Sequence, residues 1–250
     1  MKSSRSLLQS YTYSIVPTPP PLATLFRVLT FRFIRADVLA FGRPHLLLGL
    51  AGTWMVGMGR YWDDPAASTL QHLGLGSVIY IFALAVFIFG LIHPLRVPGW
   101  TYFRVLTFIA LTSFPAVFYA IPVERFVDIN TANTINVWFL LLVALWRLSL
   151  LFAFFRRFTD LRIGQIITVV LLPMCVIISA LFALNLHRVV FNIMGGVRNP
   201  GPHDAAYGVL MVLTLLSVVL VIPLLIHYVF IIRNRQPSNG EQREQVNNSK

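Results

Sequence analysis

Apolar positions in this chain come in long unbroken runs rather than in alternation with polar ones. Six runs stand out: Pro44–Gly59, Leu73–Ile92, Arg104–Ile121, Val137–Phe155, Gly164–Leu186 and Gly208–Ile232. A helix rises about 1.5 Å per residue and a bilayer's hydrocarbon core is about 30 Å thick, so about 20 mainly apolar residues cross it. The pattern therefore predicts an all-α fold: a polytopic transmembrane helical bundle of about six spans, occupying residues 44–232, with no sheet. The first run is short and glycine-rich, which leaves a re-entrant or tilted path open to it; the other five are long enough to span with ordinary tilt.

Basic residues orient the bundle. With six spans and the N-terminus inside, the inner segments hold Lys2, Arg5, Arg27, Arg32, Arg35 and Arg43, then Arg96 and Arg104, then Arg156, Arg157 and Arg162, then Arg233 and Arg235. The outer segments hold Arg60, Arg125, Arg188 and Arg198. Thirteen against four places both termini in the cytoplasm under the positive-inside rule. Five spans would put the basic N-tail outside. The expected location is a bacterial cytoplasmic membrane.

Residues 1–43 form a separate N-terminal region. Its first part ends in Pro17-Thr18-Pro19-Pro20-Pro21, an extended stretch. Residues 22–41 then place Leu25, Leu29, Phe33, Ala36 and Ala40 along one helical face, with Arg27, Arg35 and Asp37 on another side. A basic helix with a broad apolar face predicts an interfacial amphipathic helix facing anionic lipid. A helix packed on the inner rim of the bundle fits the same pattern. Residues 233–250 are polar and predict a disordered cytoplasmic tail. The hexapeptide Phe26–Phe31 recurs at Phe103–Phe108 without matching flanks, so duplication is not implied.

Composition agrees with lipid as the main solvent. Of 250 residues, 57% are hydrophobic and only 12% charged, about half the charge of an ordinary soluble domain. A net charge of +11 raises nucleic acid as a partner, but the cations cluster beside the apolar runs instead of forming a stripe with exposed aromatics. No nucleic-acid partner is expected. The one cysteine, Cys175, lies inside an apolar run, so no intramolecular disulfide can form. The N-terminus has no short apolar core with a small-residue cleavage site, and none is expected to be removed.

Arg147 is the sharpest site candidate. It interrupts the fourth run beside Ser149, and an arginine at that depth costs about 2.5–3.5 kcal/mol on insertion scales, so it needs a partner or water. Candidate acceptors are Asn185 from the fifth run, outer-loop acids (Asp63, Asp64, Glu124, Asp128) and carbonyls freed by a proline. Pro115, Pro173 and Pro223 sit inside three runs, and each removes a backbone hydrogen bond. Broken helices of that kind line transporter sites, although prolines are also common in membrane helices. Gly49, Thr53 and Gly57 recur at four-residue spacing, a small-residue stripe for close helix packing within the chain or against a second copy.

Nothing assembles catalytic chemistry. There is no phosphate-binding glycine loop, no H-E-x-x-H, no G-x-S-x-G and no cysteine pair. Asp63-Asp64 and His203-Asp204 are the only faint metal hints, and the six histidines are dispersed. No enzyme, cofactor or metal is expected.

One stretch has a family likeness. Trp138…Leu145-Trp146-Arg147…Arg162-Ile163-Gly164…Leu172-Pro173, preceded by Tyr102-Phe103-Arg104-Val105-Leu106…Phe114-Pro115, resembles the later helices of the Yip (Ypt/Rab-interacting) membrane-protein family in its bacterial branch, over about a third of the chain. The resemblance implies a small helical bundle without catalysis that organises membranes or binds partners. Members usually carry one span fewer than counted here, and the Asp-Leu-Tyr-Gly-Pro motif of eukaryotic members is missing, so GTPase binding does not carry over. The leading functional expectation is a non-enzymatic scaffold or partner-binding membrane protein, in contact with anionic lipid and with a second copy or another membrane protein. The alternative is a transporter or channel component with a polar site around Arg147.

Overall fold

The computed structural model describes residues 19–62, 67–186 and 205–235, and every regular element in them is helical. In chain order these are α1 (Pro21–Leu29), α2 (Arg35–Leu39), α3 (Arg43–Gly59), α4 (Thr69–His72), α5 (Leu75–Ile92), α6 (Tyr102–Leu111), α7 (Ile129–Phe158), α8 (Ile163–Ala183) and α9 (Ala205–Arg235). Five segments are long and apolar enough to cross a membrane: Leu75–Leu95, Tyr102–Arg125, Asn130–Phe158, Ile163–Ala183 and Gly208–Arg235. The protein is thus built as an integral membrane helical bundle. Residues 1–18 and 236–250, expected to be extended and disordered tails, lie outside the described residues, as do Asp63, Asp64, His203 and Asp204.

Helix ends follow local chemistry. Asp128 starts α7: its carboxylate accepts the Thr131 backbone N–H at 3.0 Å and the Thr131 hydroxyl at 2.8 Å, which holds its pKa below the usual carboxylate range. At the end of α8, Asn185 takes a left-handed φ of 55°, letting its N–H reach Phe182 O and the Leu186 N–H reach Leu181 O. Pro115 ends regular helix: α6 stops at Leu111 and the chain continues as a 3-10 segment, Phe114–Ala120. Thr112 and Ser113 hydroxyls both turn back to Ile109 O. Pro173 and Pro223, by contrast, remain inside α8 and α9.

The 17-residue α3 packs against both α5 and α6, which also contact each other. A Cβ on Gly49 would meet Ala110, one on Gly52 the Phe114 ring, and one on Gly59 Ala120, so α3 from Gly49 to Gly59 runs parallel to α6 and the 3-10 segment that follows it. Gly57 meets Gly74 and Ser77 at the start of α5 on the other side. Thr53 donates to Gly49 O at 2.8 Å and reaches Ala110 O at 3.4 Å. The small-residue stripe is therefore filled from within the chain, by α5, α6 and the 3-10 segment after α6.

The single helix expected over residues 22–41 is two helices. Phe31 breaks it with a left-handed φ of 59°, and its amide and that of Arg32 close the α1 end on Val28 O and Arg27 O. The break turns the second half so that Phe33, Val38 and Phe41 face the bundle, where a continuous helix would have offered Ala36 and Ala40. Larger apolar side chains remove more area from water, which is the physical reason for the turn. Asp37, expected on the polar side, is instead buried: it pairs with Arg27 at 3.0 Å and accepts Ile34 N–H at 2.9 Å.

Arginines tie this strap down. Arg157 donates to Phe33 O and Phe31 O, each at 2.7 Å, and its guanidinium lies 4.6 Å from the Phe33 ring. Arg104 bonds Gly99 O at 2.6 Å and reaches Leu39 O at 3.5 Å. Arg235 bridges Leu95 O and Asp160 O at 3.3 and 3.1 Å. The α1–α2 strap, the 93–101 turn, the α7–α8 turn and the end of α9 thus gather at one basic end of the bundle. The packed core lies toward that end, with Phe33, Phe108, Phe154 and Phe158 linked in series by ring contacts.

Candidate functional site: an arginine and tyrosine cluster

Arg147 occupies an inward position on α7. Val143, Leu150 and Phe154 are exposed by 2%, 0% and 1%, and Arg147 falls between them at the spacing of one helical face. Trp138, Leu142, Leu145 and Ser149 form the opposite, exposed face. Ser149 therefore points away from Arg147, and the two do not make one site.

Arg147 is partly buried and makes no hydrogen bond or ion pair with any other described residue. Asn185 does not reach it; that residue is spent on ending α8. No carbonyl freed by a proline bonds it either. The Tyr119 phenol lies within electrostatic range of Arg60, Arg147 and Tyr80. Side chains on a helix lean toward its N-terminus, and the α7 N-terminus is at the end opposite the basic one, so the guanidinium is carried toward Tyr119.

Arg60, just past α3, completes the group. Its guanidinium carbon lies 4.9 Å from the Tyr119 ring centre and 5.5 Å from that of Tyr61. Burial pulls the Arg60 pKa below its ordinary value, opposed by the two tyrosines, yet a guanidinium starts so high that it stays charged. Arg60, Tyr61 and Tyr119, from the end of α3 and the 3-10 segment, thus meet, with Arg147 of α7 and Tyr80 of α5 in electrostatic range of Tyr119. Above them, Trp62 donates to Ala120 O at 3.0 Å, Arg125 sits 4.8 Å over the Trp62 ring, and Asn136 donates to Glu124 at 2.9 Å.

The cluster marks the edge of the packed core. That core draws on α7 from Trp146 to Phe158, on α3 from Leu46 to Leu50 and on α8 from Ile166 to Val170. Beyond this boundary the bundle offers guanidinium and phenol donors in a low-dielectric setting, where donors act strongly on charge. The arrangement can bind and orient an oxyanion. Among the described residues no group of three or more His, Cys, Asp or Glu could hold a metal. Cys175 is buried against Ser217, and His227 Nδ1 lies 2.6 Å from the Thr168 hydroxyl.

Arg60 and Tyr119 were not readable as site residues. In the sequence, Arg60 reads as an ordinary outer-loop charge and Tyr119 as one more aromatic in a span. The available signal was the pairing of a cation at the end of a short run with a tyrosine inside the next-but-one run. No family model, curated protein or solved structure matches this chain.

Proposed function

We propose that this protein is a non-enzymatic, six-span integral membrane protein that binds an anionic ligand through Arg147, as a transporter or channel component does. The observation that carries the reading is Arg147 itself: a charge that cannot be neutralised by burial, set in a buried stripe, without an acceptor among the described residues. The scaffold reading draws on the same absence of catalytic motifs, but its small-residue stripe is occupied by the chain's own helices. The resemblance to the Yip family rests on the residues quoted above alone.

Six spans are favoured because α3 from Gly49 to Gly59 keeps pace with the end of α6 and the 3-10 segment after it, although at 17 residues it falls short of the usual length. The concentration of arginines at one end of the bundle supports cytoplasmic termini. Reporter fusions at Ser68, Ala132 and Asp204 will score outside and one at Arg162 inside; an outside score at Arg162 sinks the topology.

Arg147→Leu tests the site. The variant will insert and melt like the wild type in detergent, since replacing a buried polar group with an apolar one is often neutral or stabilising. It will show the growth or transport phenotype of a deletion strain. Arg147→Lys will rescue little, because an ammonium lacks the planar fork. A normal phenotype for Arg147→Leu would make Arg147 a structural residue and restore the scaffold reading.

A further inference from the structure

We propose that the outer side of the α1–α2 strap is inserted in the leaflet at the basic end of the bundle, with acyl chains against its apolar residues and anionic headgroups on the arginines beside them. α1 is apolar on two sides. Leu25 and Val28 enter the core, while Leu22 and Phe26, four positions apart on the other side, are 61% and 68% exposed. Ile34, exposed by 58%, and Leu39 add to the outer apolar surface from α2. The face that the sequence offers to lipid, through Leu25 and Phe33, is spent on the bundle, and this second one is left outside. A helix apolar on both sides suits a bilayer and not water.

Position favours lipid as what covers that surface. The strap lies along the flank of α7: Trp146 donates to Leu29 O at 3.2 Å, and Arg157 to Phe31 O and Phe33 O at 2.7 Å each. Those two anchors are 11 positions apart, about 16 Å along the helix axis. α7 is one of the segments long and apolar enough to cross a membrane, and its own Leu142 and Leu145 are exposed. The outer side of the strap therefore continues a flank whose solvent is lipid. Charge selects the headgroup. Arg32 in the strap, Arg43 just after it and Arg156 beside Arg157 are all exposed, whereas Asp37 is buried in its pair with Arg27. Basic residues in this setting are attracted to an anionic leaflet, and an interfacial helix sinks about 5–10 Å into the boundary between headgroups and acyl chains.

The test uses the full chain in phosphatidylcholine vesicles, with a small fluorophore on a single introduced cysteine: Leu22→Cys, Phe26→Cys or Ile34→Cys. All three positions are exposed, so no one label decides whether the chain folds, and Leu142→Cys on α7 is the lipid-facing reference. The native Cys175 is buried, and the wild-type chain treated alike reports any label there. Quenchers are phosphatidylglycerol and phosphatidylcholine carrying a nitroxide on the acyl chain, and iodide in the buffer. The lipid quenchers will act on all three strap positions as they do on Leu142→Cys, and iodide will act weakly. At low salt, phosphatidylglycerol will half-quench Ile34→Cys at about one-fifth of the mole fraction that phosphatidylcholine needs, a ratio equivalent to about 1 kcal/mol for one basic residue near an anionic surface. Arg32→Gln combined with Arg43→Gln will bring that ratio toward one, as will high salt. Strong iodide quenching without lipid quenching overturns the proposal in favour of a water-facing strap. Protection from every quencher overturns it in favour of a second copy or another protein covering the face. Equal action of the two lipids on the wild type overturns the choice of an anionic headgroup. None of these variants alters Arg147, so each of these failures leaves the Arg147 reading standing.

Discussion

Gly49→Ala will lower the melting temperature of the protein in detergent, although alanine is the better helix former. On propensity alone the change favours a helix interior by about 1 kcal/mol. Here the added methyl would sit 2.7 Å from Ala110 Cβ, 3.0 Å from Leu111 N and 3.1 Å from Ala110 C. Two of those neighbours are backbone and cannot swing aside, so α3 must move off α6. Overpacking of this kind costs about 1–3 kcal/mol, and a leucine at the same place adds three more carbons to the clash, so Gly49→Leu will fail to fold. The shift also lengthens the 3.4 Å contact from Thr53 to Ala110 O. Gly76 and Gly90 on α5 serve as the opposite case, because a Cβ there meets nothing within 4 Å. Alanine at either will be neutral or raise the melting temperature. If Gly49→Ala melts at or above the wild type, the close α3–α6 contact is not what the geometry says it is.

Arg157→Ala will release the α1–α2 strap and lower stability by about 2 kcal/mol. A hydrogen bond to a charged group contributes about 1.5–3 kcal/mol, and Arg157 makes two, at 2.7 Å each, to Phe31 O and Phe33 O. The exposed setting of the side chain reduces that sum through solvent screening. The carbonyls it holds flank a strained position: Phe31 is a bulky residue in left-handed backbone, φ 59°, and such a conformation persists only while its surroundings hold it. Loss of the guanidinium also removes the 4.6 Å stack on Phe33, itself 1% exposed in the core. Thermal melting and limited proteolysis over residues 30–34 report the two effects separately. Arg157→Lys will recover at most one of the two bonds. Unchanged melting together with an unchanged cleavage pattern would show that the strap is held by its apolar face alone.

Run length, composition and the clustering of cations were enough to establish from sequence alone that the chain is helical and built for a bilayer. Each of those signals is local: about 20 apolar residues are long enough to cross hydrocarbon whatever their neighbours do, and backbone groups in lipid must bond within their own helix. The inward placement of a charge at Arg147 was also visible, as a lone cation inside a span. Which residues surround that charge was decided only by the tertiary structure. Ser149 is two positions away but on the other face of α7, and Asn185 ends a helix elsewhere, while Arg60 and Tyr119 arrive from segments 87 and 28 positions distant. The same holds for the N-terminal region. Residues 22–41 satisfy one amphipathic period, yet the chain breaks at Phe31 because Phe33, Val38 and Phe41 find a core to enter, and helical periodicity contains no information about where that core lies.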